Sequence, residues 1–126
     1  MAKAKLDWKK KPEAEDYQGA GNYLSLVCSE SKAKKLVRAL REAPAIEHAA
    51  KDLLRASRLP LLPRDEPHVN DDLDKIHKGK ALAPVLLVCG DMSNDIPLTV
   101  ADGYHRICAV YYYDAKLMVQ CRMVRN

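Results

Sequence analysis

Residues 84–124 leave the chain little freedom. "PVLLVCG", 84–90, is a continuous apolar segment of strand length. "DMSNDIP" has turn chemistry, and "LTVA", 98–101, reads as a second short strand, the hairpin partner of the first. A helix over 103–113 comes next with no linker. Its body, Ile107, Cys108, Ala109, Val110 and Tyr111, is apolar nearly all round, which predicts burial. "MVQCRMV", 118–124, alternates Val119, Cys121 and Met123 with Gln120 and Arg122, a strand with one wet face. A hairpin, a helix and a strand in this order point to a small mixed sheet with a helix packed on it.

Upstream the signals are looser. Residues 1–16 read as a flexible basic tail, with Lys3, Lys5, Lys9, Lys10 and Lys11 against Asp7 in its first part. "NYLSLVC", 22–28, is β-prone enough for a first strand, and Ser29 is a natural N-cap for a helix beginning at residue 30. Ala33, Leu36, Val37 and Leu40 stand at i, i+3, i+4 and i+7, one apolar helical stripe. Ile46, Ala49, Ala50, Leu53 and Ser57 mark a second helix after Pro44. "RLPLLPRDEPHVN", 58–70, has three prolines and reads as an edge strand and a loop. Asn70 caps a short helix that ends at Gly79. The sum is one compact α+β (α/β) domain over 17–126, a small mixed sheet with about four helices.

Composition narrows the function. The 126-residue chain carries a net charge of +4, and the tail lysines supply most of the excess. The folded body is close to neutral, which does not favour a dedicated nucleic-acid surface. Cys28, Cys89, Cys108 and Cys121 form no C-x-x-C pair and each sits in an apolar stretch. They read as reduced core thiols of a cytoplasmic protein. No segment approaches the ~20 apolar residues of a membrane span.

The junction at 102–106 carries the chemistry. Gly103, where strand turns into helix, lets the backbone bend sharply and a ligand approach closely. The first amides of a helix lack internal partners and its dipole is positive there, so a phosphate fits. Arg106 can grip a phosphate bidentately, and His105 can donate to it or move a proton. Asp102 repels an anion, so it caps the helix, faces away, or shares a Mg²⁺ with the phosphate. The plainer reading makes Asp102 a cap and His105 and Arg106 ordinary first-turn surface residues.

"KGKALAPVLLV" and "ADGYHRICAV", in that order, resemble the ParB/sulfiredoxin superfamily, over about residues 58–124. The resemblance implies a phosphate or nucleotide site in which Gly103, Tyr104, His105 and Arg106 hold the anion, with ATP, ADP or CTP and Mg²⁺ as the cofactors it suggests. Sulfiredoxins place their catalytic cysteine before His-Arg; Tyr104 stands there instead, and Cys108, one turn on, should be buried and unreactive. Partition proteins of the superfamily continue into a helix-turn-helix domain, whereas only Arg125 and Asn126 come after the last strand here. Small-molecule kinases of the superfamily read D-G-x-H-R and place a catalytic glutamate before the short helix. The loop "PRDEPHV" offers Glu66, or else Asp65, for that role, beside His68.

Three functions stay open. One is a ParB-like module that binds a nucleotide or phosphorylated small molecule without chemistry. Another is a phosphotransferase or nuclease with Glu66 or Asp65 as base and Asp102 in support. The third is a protein-interaction subunit with a vestigial site, using the Tyr111–Tyr113 run and the basic first helix.

Overall fold

Val85 to Val88 are buried on both faces of the sheet, and the rest of the chain is arranged around that fact. The computed structural model describes residues 6–126. Its elements are α1 (Ala14–Val27), α2 (Glu30–Glu42), β1 (Ile46–Ala49), α3 (Ala50–Ser57), α4 (Pro67–His77), β2 (Val85–Cys89), β3 (Thr99–Asp102), α5 (Tyr104–Tyr113) and β4 (Met118–Arg125). The sheet order is β1-β4-β2-β3. β2 is parallel to β4 and antiparallel to β3, and β1 is antiparallel to β4.

Successive side chains of a strand point to opposite faces. Val85 and Leu87 therefore join Val119, Cys121 and the apolar sides of α3, α4 and α5 in one core. Leu86, Val88 and Ala101 join Tyr17, Ala20, Leu24, Leu36 and Leu40 of α1 and α2 in the other. Two helical layers enclose the sheet, which explains why β2 shows no polar alternation. This is the α+β domain with a small mixed sheet that the sequence predicts, with five helices rather than about four.

Four local readings need correction. The 22–28 segment is the second half of α1, not a strand. Asp16 Oδ2 accepts the Glu13 N–H at 2.7 Å to start that helix, and Tyr17, Ala20 and Leu24 then face the sheet at helical spacing. The helix read over 46–57 divides: Ile46–Ala49 pairs with the free edge of β4, Ile46 opposite Cys121, and only then does α3 begin. Residues 58–66 form no strand. They lie along α5, where the Tyr104 hydroxyl donates to the Pro60 carbonyl and the Tyr112 hydroxyl to that of Leu62, the latter at 2.6 Å. The Tyr111–Tyr113 run thus packs on the core with a hydrogen-bonded edge. The helix after the loop opens at Pro67, with Glu66 rather than Asn70 as its cap; proline is well suited to a first helical position.

The tail also differs. Residues 1–5 lie outside the described residues. From Asp7 on the chain is anchored: Lys9 N donates to Leu82 O at 2.8 Å, Leu82 N to Asp7 O at 3.0 Å, and Trp8 packs on the core. Arg122, expected on a wet strand face, donates to the Lys10 carbonyl at 2.9 Å and to that of Ala43 at 2.6 Å.

Gly103 sits at φ +106°, where a Cβ would lie 2.4 Å from Val85 Cγ1. Both the left-handed conformation and the contact with β2 exclude a side chain. Gly103→Ala should cost about 3 kcal/mol, read as a lower urea midpoint with an unchanged slope. An unaltered midpoint would mean that β2 and α5 do not meet as described.

Candidate functional site

α5 starts directly from β3. Its N-cap is Gly103, so no side chain caps its first turn. The four positions 103–106 are partly exposed, and Gly103, His105 and Arg106 border a cleft of about 320 Å³.

Within that turn the side chains do different things. Tyr104 is a tether, its hydroxyl bound to the 58–66 loop. Arg106 turns inward, and its guanidinium serves four acceptors: the carbonyls of Ala83 and Pro84 at 2.8 and 3.1 Å, Asp16 Oδ1 at 2.9 Å and Asp102 Oδ2 at 2.7 Å. Its terminal nitrogens are engaged by the protein itself, so it frames the site rather than reaching into it. Asp102 is held beside it. Burial, with the Asp16 carboxylate close by, raises the Asp102 carboxyl to about 6 in spite of Arg106.

His105 points to the other side. Its Nε2 is 3.6 Å from Glu66 Oε2, and its ring centroid is 4.8 Å from that of His68. Glu66 Oε1 is 3.0 Å from His68 Nδ1, and Oε2 accepts the Val69 N–H at 2.9 Å. Partial burial would raise the Glu66 carboxyl. The Val69 amide and the two imidazoles outweigh it, and the carboxyl lies below its ordinary range. The same hydrogen bond and charge raise His68. Asp65 is exposed on the preceding turn, outside this cluster. Of the two loop carboxylates named as candidate bases, only Glu66 is brought to the α5 start.

The cleft is rich in carboxylates. Glu15, Asp16, Asp71, Asp72 and Asp102 line it, against Lys75 and Arg106. Lys75 stands 3.8 Å from Asp72, whose own carboxyl is raised by burial. Cys108 is fully buried and burial pushes its thiol up, in keeping with an unreactive core cysteine.

Sequence reading missed Asp16, which lies in a segment read as tail. Its one local signal is the pairing with Glu13 at a helix start. His68 was visible as a loop neighbour of Glu66, but its approach to His105 depends on how α4 packs on α5. Comparison with protein-family models, with curated proteins and with solved structures returns no match to this chain.

The Asp16–Arg106–Asp102 arrangement is testable by titration. An unfolded aspartate titrates near ~3.9, so between there and about 6 the folded state holds the extra proton. The contribution of Asp102 to stability is then fully present at the acid end and is lost as pH rises through about 6. In ¹³C NMR of the aspartate carboxyls, Asp16→Asn should lower the Asp102 value by removing a like charge. Arg106→Gln should raise it by removing the opposite one. An Asp102 that titrates as an ordinary aspartate in all three proteins would refute this electrostatic picture.

Proposed function

We propose that the chain is a ParB-like module that binds a nucleotide or phosphorylated small molecule, with the phosphate at 103–106. The observation that carries this reading is the start of α5: uncapped by any side chain, held open by Gly103, and bordering a cleft beside His105. The order of hairpin, helix and parallel closing strand supports the ParB/sulfiredoxin resemblance. In this reading the amides of Tyr104 and His105 and the His105 imidazole meet the phosphate. Arg106 holds the frame through Asp16 and Asp102.

The carboxylates decide the form in which a phosphate enters. A bare polyphosphate would face five acidic side chains with two cations already paired to them. Mg²⁺ offsets part of a nucleotide's phosphate charge and lowers that barrier, and Asp71 and Glu15 line the cleft where the cation would sit. The proposed ligand is therefore the Mg²⁺ complex of ATP, ADP or CTP.

A phosphotransferase or nuclease is the second reading, favoured by Glu66 standing within reach of both His68 and His105. Glu66 would be the base and pass its proton to His68.

Thermal melting with each nucleotide, with and without Mg²⁺, tests the binding reading. A ligand at about a hundred times its Kd adds ~2.7 kcal/mol, a rise on the order of 10 °C for a domain of this size. The rise should need Mg²⁺ and should shrink in His105→Ala. No shift with any nucleotide would overturn the proposal. For the enzymatic reading, Glu66→Gln should keep the nucleotide-induced rise and lose turnover by at least about a hundredfold. Turnover equal to wild type would exclude Glu66 as the base.

A further inference from the structure

Two helix starts converge on one carboxylate. Glu66 caps α4, and His68 is the second residue of that helix. His105 is the second residue of α5. One ligand-type atom from each of the three lies within 4.8 Å of the others. A first-row divalent ion bound at ~2.0–2.2 Å holds its donors roughly 3–3.5 Å apart. Glu66 Oε1 lies 3.0 Å from His68 Nδ1 and Glu66 Oε2 lies 3.6 Å from His105 Nε2, so each oxygen of the one carboxylate faces an imidazole at close to that spacing.

We infer that Glu66, His68 and His105 form a binding site for zinc or a neighbouring first-row divalent cation. The donor set of two imidazoles and one carboxylate suits such borderline ions better than Mg²⁺ or Ca²⁺, which prefer oxygen alone. The carboxylate is oriented in advance, because the Val69 amide holds Oε2. The donors stand on the first turns of two packed helices, and α4 and α5 are tied together by the core between them. The acidic cleft beside the cluster supplies a negative potential that draws a cation in.

The positive ends of α4 and α5 act in the opposite sense and disfavour a bare cation. They favour an anionic ligand or a polarised water on the metal. Three protein donors leave positions for such a ligand, and the exposure of the His68 and His105 side chains, 72% and 42%, leaves them accessible. The site shares His105 with the proposed phosphate contact but requires no nucleotide, so it can be tested with metal alone.

The test uses metal alone. Metal-free protein carrying Cys28→Ser and Cys89→Ser, which removes the two partly exposed thiols, is titrated with Co²⁺ and followed by its visible absorption. One equivalent should bind, Zn²⁺ should displace it, and His68→Ala or His105→Ala should each weaken binding at least about a hundredfold while melting as the parent does. A second measurement needs no variant in the cluster. Zn²⁺ added to the wild type should move the imidazole ¹⁵N signals of His68 and His105 and leave those of His48 and His77. Absence of saturable Co²⁺ binding, binding indifferent to both substitutions, or Zn²⁺ shifts confined to His48 and His77 would overturn the inference. Nucleotide binding that fails while Co²⁺ binds leaves the metal site standing, and the converse separates the two equally.

Discussion

The Arg106 guanidinium is the interaction on which the arrangement of the site depends. It joins α1 through Asp16, the segment before β2 through two carbonyls, and the end of β3 through Asp102. Segments far apart in sequence meet on one side chain with 15% exposure. A planar fork with fixed donors can do this where a lysine ammonium could not. Such a pair is poor evidence of net stability, because removing charges from water costs as much as their attraction returns. Its effect is on geometry. With two carboxylates on one cation, α1 has one position against β3, and the α5 start keeps its orientation to the cleft.

This changes the meaning of a pattern that reads as phosphate-gripping. In D-G-x-H-R the aspartate and arginine are four residues apart and satisfy each other across the strand-to-helix corner. The histidine between them is left facing the opposite side, toward α4. The corner thus sorts its polar residues. One pair stays inside as a fastening, while His105 remains available beside Glu66. A site rich in carboxylates at the positive end of a helix is then less contradictory, since a cation and an anion together suit it better than either alone.

How much of this was legible depended on range. β2, the hairpin, α5, β4 and α2 arise from signals within a few residues of one another: the apolar run at 85–88, the Ser29 cap, the alternation at 119–123. Ser29 does accept the Lys32 N–H, as its position implies. The errors fell where local preference competed with tertiary pairing. Leu24, Leu26 and Val27 suit a strand, yet only Leu24 is buried and Leu26 is 83% exposed, the mark of a helix with one face on the sheet. Ile46 to Ala49 fit a helical stripe, but the unpaired edge of β4 claims them. Of the site, Gly103, His105 and Glu66 were readable because each sits in a turn or cap with its own chemistry. Asp16 was not, since nothing near it in sequence announces a partner at Arg106.

The loop 58–66 has no sheet ladder to hold it, and two phenolic hydroxyls from α5 take that place. Arg58 pairs with Asp95 at 2.7 Å, Glu66 N donates to Pro63 O at 3.0 Å, and Pro60, Pro63 and Pro67 fix their own φ angles and restrict the residues before them. Much of the entropy that an open segment would lose on folding is absent from the unfolded chain to begin with. Glu66 and His68 therefore sit on a stiff arm rather than a mobile flap. The backbone that carries Glu66 and His68 is thus restricted before folding as well as after it.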